Sequence, residues 1–196
     1  MNPVGYLYNS PKGMQGERGI GYNYILASNG LFVEAENQHL KATLELQHAE
    51  HGKEVRGLCS IIEGITLKHG LVPRYLWERA WELLTVDPSS ECYLAIVWRF
   101  GCYDLVQPTQ KVTRASVEYQ RPRNLVVDIH SHGAMKPFFS STDDKDDQGF
   151  KISIVAGEMD KPLNTFLARV CLYGYFSPVR PHQVFECEGG GERCTP

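Results

Sequence analysis

Between residues 21 and 48 apolar and polar side chains alternate: GYNYILA and LFVEAE are joined through Ser28, Asn29 and Gly30, and LKATLELQH continues the pattern. A period of two belongs to a half-buried strand, and Asn-Gly is a strong short-range hairpin signal. The first third of the chain therefore reads as β-structure, with EVRGLCSI as a further strand candidate. The period then changes. Leu76, Trp77, Ala80, Trp81 and Leu84 recur every three or four residues and Pro73 suits a first helical turn, so a helix is predicted over 73–86, stopping before Asp87 and Pro88. Beyond it ECYLAIVWRF, CYDLVQP, ASVEYQ and NLVVDIH read as successive strands, the last apolar enough for a buried central position. The polar stretch SHGAMKPFFSSTDDKDDQG interrupts them, and Ser141 and Thr142 followed by acidic residues fit the opening of a short helix. KISIVAG and ARVCLYGYF close the sheet, while the glycine-rich CEGGGERCTP reads as a flexible tail.

This order of elements predicts a β-rich accessory region over 1–66, an α/β domain over 67–186 and a tail over 187–196. A chain of 196 residues accommodates one to two such units, and 42% hydrophobic with 22% charged residues is the composition of a folding globular chain. The formal charge of −3 and a pI near 6.2 give no broad electrostatic reason to bind nucleic acid or anionic lipid. No stretch approaches the roughly 20 apolar residues of a membrane span, and the opening MNPVGYLYNSPKGMQGERG lacks the pattern of a secretory signal. A cytoplasmic protein without nucleic-acid or membrane partners is expected. The six cysteines, Cys59, Cys92, Cys102, Cys171, Cys187 and Cys194, then read as reduced thiols, with Cys92 and Cys171 as small buried residues within strands. No CxxC pair occurs, which argues against a structural zinc ribbon.

Chemistry concentrates in DIHSHGAMKPFFSSTDD. On an extended segment residues two apart point the same way, so His130 and His132 can present both imidazoles to one point. A helix beginning near Ser141 places Asp143 in its first turn, able to supply a carboxylate oxygen to the same point. Three nitrogen and oxygen ligands leave the fourth tetrahedral position of zinc open, as in a catalytic rather than a structural site. Each residue taken singly has an ordinary reading, a strand-end histidine or a solvated aspartate; the strand before and the helix start after are what join them into a metal centre. Asp128 shares the face of His130 and reads either as an orienter of that histidine or as a plain buried or edge aspartate. Asp144, Asp146 and Asp147 read as a solvated acidic helix start, and Trp77 and Trp81 as core. His39, His48, His51, His69 and His182 lack ligand spacing and read as surface residues.

The block HSHGAMKPFFSSTDD resembles the JAMM signature of the MPN (JAB/Mov34) metallopeptidase superfamily, which includes deubiquitinating isopeptidases and bacterial relatives. More narrowly, NGLFVEAE, EVRGL, VPRYLWERAWELL, DDQGFKI and RVCLYGYF resemble the protein A family of the PRTRC system of bacterial plasmids and integrative elements, over roughly residues 20 to 186. The resemblance implies the MPN fold, a cytidine-deaminase-like mixed sheet flanked by helices, and a zinc cofactor. It makes His130, His132 and Asp143 the ligands, Ser140 the oxyanion-stabilising serine, and a glutamate after the first helix the general base. Glu91 stands at that position; Glu54 is the rival, because EVRGL echoes the Glu-x-x-Gly pattern around the family's glutamate. Two departures bear on the substrate groove: Gly133 stands where many JAMM enzymes have proline, and bulky Tyr93, Leu94 and Trp98 replace small residues. The implied substrate is the C-terminal tail of a ubiquitin-like protein, with E1/E2-like conjugation proteins of the same operon as partners, in either precursor processing or deconjugation. The alternative is a non-catalytic MPN scaffold that binds partner proteins. A zinc deaminase needs HxE together with PCxxC, a combination this chain lacks.

Overall fold

The computed structural model describes residues 2–112, 117–161 and 165–187, and the chain divides into two compact units, 1–68 and 69–196. The tail expected over 187–196 lies, from 188 onward, outside the described residues.

In the first unit, alternation produces six strands: β1 (Val4–Ser10), β2 (Gly13–Glu17), β3 (Tyr22–Ala27), β4 (Gly30–Glu36), β5 (Leu40–His48) and β6 (Gly64–Leu67). They lie in the order β2-β1-β3-β4-β5-β6, with β1 and β3 parallel and the other neighbours antiparallel. Period-two spacing brings Leu7, Ile25, Ala27 and Phe32 into one cluster, against which Met14 and Ile61 pack. The predicted hairpin closes through Ser28 and Asn29, with Ala27 paired to Gly30. Gly30 has φ +149, and a Cβ there would sit 2.2 Å from the Gln47 carbonyl oxygen, so only glycine fits.

Two features of this unit differ from the sequence reading. EVRGLCSI is not a strand but an irregular segment. Gly57 turns it with φ +84, and its backbone groups bond to the end of β1 and to the β3–β4 turn: the Cys59 N–H donates to the Asn9 carbonyl at 2.7 Å and Cys59 O accepts from the Ser28 N–H at 3.0 Å. The Asn29 side chain holds Ile61 from both sides, accepting its N–H at 2.9 Å and donating to its carbonyl at 2.8 Å. The β1–β2 hairpin, in turn, was not marked by the pattern, because β2 (GMQGE) exposes most of its residues and carries no apolar stripe. His39, expected at the surface, is buried.

The second unit contains α1 (Arg74–Leu84), β7 (Tyr93–Arg99), β8 (Cys102–Val106), a ribbon of β9 (Gln110–Val112) and β10 (Val117–Tyr119), then β11 (Leu125–Ser131), α2 (Ser141–Asp146), β12 (Phe150–Gly157), β13 (Thr165–Leu172) and β14 (Tyr175–Pro178). Its six-stranded sheet runs β14-β13-β12-β11-β7-β8; β11 and β12 are parallel and the other pairs antiparallel. Mixed sheets with few helices make this an α/β fold. Helix α1 is shorter than the predicted 73–86, because Pro73 takes ψ 132 as N-cap and Thr85 ends the helix as C-cap. It buries Leu76, Ala80 and Leu84, and Trp77 packs on Phe166 and Phe185 with ring centroids 4.7 and 5.1 Å apart.

Four cysteines, Cys59, Cys92, Cys102 and Cys171, are free, whereas Cys187 is disulfide-bonded, which corrects the reading of it as a reduced thiol. Cys194 lies outside the described residues. Cys171 is buried in β13, and burial pushes its thiol far up. Cys92 is half-buried and directly precedes β7 rather than lying within a strand. Among the described residues no helix is long and apolar enough to cross a membrane.

Candidate metal centre

Strand β11 sits between β7 and β12, and its buried Val126, Val127 and Ile129 hold it there. Alternation turns Asp128 and His130 to the same face; His130 pairs across to Tyr93 on β7 and to Val155 on β12. One residue past the strand, the His132 N–H donates to the Ala156 carbonyl at 2.8 Å, which keeps the chain in register with β12. Gly133 then turns it back at φ +57, a backbone region that proline cannot enter, and a Cβ at this position would lie 2.7 Å from the Pro88 carbonyl oxygen. The sequence departure at Gly133 is therefore a matter of backbone path. The returning loop is tied by Glu158 N to Met135 O at 2.7 Å and Met159 N to Gly133 O at 3.0 Å. Of the bulky residues expected near the groove, Tyr93 and Leu94 are fully buried, and Trp98 stacks on His69 at 3.8 Å.

The loop ends at Ser140, the N-cap of α2, which forms a capping box with Asp143 at the third helical position. That box aims the Asp143 carboxylate back toward β11. His130, His132 and Asp143 thus offer ligand atoms that all lie within 4.8 Å of one another. His130 Nε2 is 3.1 Å from Asp143 Oδ1, and His132 Nε2 is 3.7 Å from Asp143 Oδ2. Their side chains are only 12%, 6% and 15% exposed in that order. His130 Nε2 and His132 Nδ1 are buried without a directed hydrogen bond among the described residues. Buried unsatisfied ring nitrogens are costly, and two imidazoles with one carboxylate form a donor set suited to a divalent ion such as zinc. The residues fit a metal.

The three groups shape one another's charge. At Asp143 burial opposes ionisation, but the adjacent His130 and Ser140 outweigh it and hold the carboxyl far below the usual carboxylate range. At His130 burial disfavours the imidazolium, yet the Asp143 carboxylate wins, with Asp128 and Asp147 adding to it, and raises its pKa. At His132 burial and the neighbouring His130 lower it, so this ring favours the neutral form that binds metal.

Glu91 lies two residues before Tyr93, the β7 residue paired with His130, and is half-buried. Burial raises its carboxyl pKa; His130 opposes the rise and Asp143 adds to it, so Glu91 shares the electrostatic environment of the ligands. Glu54 belongs to the first unit, is exposed in the irregular segment and accepts a hydrogen bond from the Gly52 N–H at 3.2 Å. The Ser140 hydroxyl oxygen accepts from the Asp143 N–H at 3.2 Å, which leaves its proton available to donate. Asp128, 1% exposed, forms an ion pair with Lys151. Asp147 departs from the solvated helix start expected of it: it is 3% exposed and joins Lys151 and Arg169. The cluster had no local signal, since Asp128 and Arg169 come from distant segments and only Asp147 and Lys151 are near neighbours in the chain.

Residues 36–169, more than half of the chain and inclusive of Glu91, His130, His132, Ser140 and Asp143, match the prokaryotic homologs of the JAB domain. The chain belongs to this family. No curated protein matches it. JAB-domain families include metallopeptidases, while prokaryotic JAB homologs also include inactive members. In this prokaryotic JAB homolog the His-His-Asp triad is complete.

Proposed function

We propose that the chain is a zinc-dependent JAMM-type peptidase or isopeptidase that hydrolyses a peptide or isopeptide bond at the C-terminal tail of a ubiquitin-like protein. The observation that carries this reading is the meeting of His130, His132 and Asp143 within 4.8 Å, with the half-buried Glu91 in their field. Zinc held by these three residues would supply Lewis-acid chemistry at the scissile carbonyl and lower the pKa of water. Glu91 takes the proton of the attacking water and passes it to the leaving amine, a role suited to a carboxyl raised by burial. The Ser140 hydroxyl donates to the oxyanion that develops on the carbonyl.

The substrate class rests on the resemblance to the PRTRC protein A family, whose companions resemble an E1-like protein and a small ubiquitin-like protein. Those conjugation proteins of the same operon are the proposed partners, and the cytoplasm the proposed site of action. A flexible glycine-containing tail is also the kind of extended chain that can lie along a sheet edge.

The test is zinc content by elemental analysis, together with incubation of wild type and Glu91→Gln with a C-terminally extended ubiquitin-like protein from the same operon. About one zinc per chain is expected in both, with cleavage by wild type alone. His132→Ala is expected to lose the metal. Wild-type protein that refuses added zinc overturns the enzyme reading in favour of the scaffold, and full activity in Glu91→Gln overturns the assignment of the base.

A further inference from the structure

Helix α2 carries both Ser140 at its cap and Asp143, yet it has six residues and buries none of them. So short a helix is not stable by itself, and nothing apolar of its own anchors it. What holds it is charge. At its end Asp147 places Oδ1 2.6 Å from Lys151 Nζ and Oδ2 2.7 Å from Arg169 Nη2. Arg169 also reaches Asp144 Oδ1 at 2.6 Å, and its guanidinium lies over the rings of Phe139 and Phe176, 3.8 and 3.9 Å from their centroids. Phe139 directly precedes Ser140, so Arg169 grips α2 at both ends. Lys151, itself buried, bonds on its other side to Asp128 of β11, two residues before His130.

Two carriers of ligands are therefore linked through one ammonium group: β11 through Asp128, and α2 through Asp147. We infer that Lys151 is a positioning residue that sets the spacing between His130 and Asp143, and through that spacing the affinity of the centre for metal. The inference rests on the metal reading above. Removing the strut leaves the capping box and the Arg169 grip intact, so α2 can still form, but it cuts the link through Lys151 that fixes the helix against the strand that carries His130.

The experiment compares full-length wild type with Lys151→Met in zinc competition titrations, and with cobalt(II) in place of zinc to read the d–d absorption bands of the coordination sphere. Zinc affinity is expected to fall roughly 10- to 100-fold, the range found when groups supporting metal ligands are removed, and the cobalt bands to shift. Because Lys151→Met strands the buried Asp128 carboxylate while Asp147 keeps Arg169, a second variant, Asp128→Asn with Lys151→Met, removes both charges of that pair together; such paired replacement is commonly tolerated. It is expected to melt cooperatively in chelator like wild type while showing the same loss of affinity and the same spectral change. If wild type binds zinc and either folded variant binds it equally with unchanged cobalt bands, the strut is overturned alone. If both variants fail to fold, the cluster serves the fold rather than ligand spacing, which also overturns it. Wild type that binds no metal overturns the metal reading, and the strut with it.

Discussion

Ser140 and Asp143 hold each other by two reciprocal hydrogen bonds: the Ser140 N–H donates to Asp143 Oδ2 at 2.6 Å, and the Asp143 N–H donates to Ser140 Oγ at 3.2 Å. A proposed metal ligand and a proposed oxyanion donor are thus set by one helix cap. Only the second bond needs the hydroxyl, so Ser140→Ala keeps the first and with it the aim of the carboxylate. That variant is expected to retain stoichiometric zinc and to lose about 1 kcal/mol of stability as the cap weakens. Its turnover is expected to drop by about 100- to 1,000-fold. Zinc analysis and a thermal melt beside the cleavage assay separate the effects; unchanged turnover removes Ser140 from the chemistry.

Glu91 and Glu54 make opposite predictions. Glu91→Gln keeps shape and packing but cannot accept a proton, and turnover is expected to fall by about 100- to 10,000-fold with zinc still bound. Glu54 is exposed in an irregular segment, so Glu54→Gln is expected to match wild type in activity and to shift stability by no more than about 0.5 kcal/mol. Single-turnover cleavage by the two variants, with bound zinc measured in each, decides between them.

What was legible in the chain was local. Strands β3, β4 and β5 follow from alternation, and α1 from the three- and four-residue recurrence of Leu76, Trp77, Ala80, Trp81 and Leu84. The convergence of His130, His132 and Asp143 could be read because each of its two parts is local: a period of two on a strand, and a helix opening a few residues on. Most of the failures, the missed β2 hairpin aside, involve pairing between segments apart in the chain. β1 finds a parallel partner in β3, which no nearby pattern announces, and EVRGLCSI looks like a strand until Asn9, Ser28 and Asn29 take its backbone bonds. Asp147 shows it most clearly. Within TDDKDD it reads as one more solvated acid; Lys151 stands only four residues on, but its charge reaches Asp147 inside the fold, where the distant β13 adds Arg169.

Gly133 is the point at which the chain must reverse between His132 and α2. Its φ of +57 disfavours any side chain, and a Cβ would meet the Pro88 backbone oxygen at 2.7 Å. Gly133→Ala is therefore expected to cost about 1 to 3 kcal/mol, and the shift to disturb His132 next to it. Gly133→Pro, whose ring demands φ near −65°, is expected to cost more. Chemical denaturation of the two variants in chelator measures this, and a Gly133→Ala protein as stable as wild type would show that the turn relaxes without strain.

The Lys151–Asp147 pair predicts how stability responds to pH. Burial works against the charge on Asp147, but Lys151 and Arg169 outweigh it and hold its carboxyl below the ordinary 3.8. A depressed folded pKa means that this group stabilises the fold above 3.8 and ceases to do so as pH falls through the folded value. For Lys151 burial again opposes the charge, and Asp128 and Asp147 win, raising its pKa above 10.5; its contribution is complete below 10.5 and is lost as pH rises through the folded value. Asp147→Asn removes the acid-titrating partner and is expected to cost on the order of 3 kcal/mol near neutrality. Denaturation midpoints of wild type and Asp147→Asn, followed in chelator across the pH range, are expected to stay separated between these limits, by a margin that varies only modestly where His130, whose charge Asp147 also favours, titrates. On the acid side the margin closes only below 3.8, where the wild-type carboxyl takes up its proton. A gap that instead closes completely between pH 5 and 8, the range in which histidines titrate, would place the controlling charge on a histidine and not on Asp147.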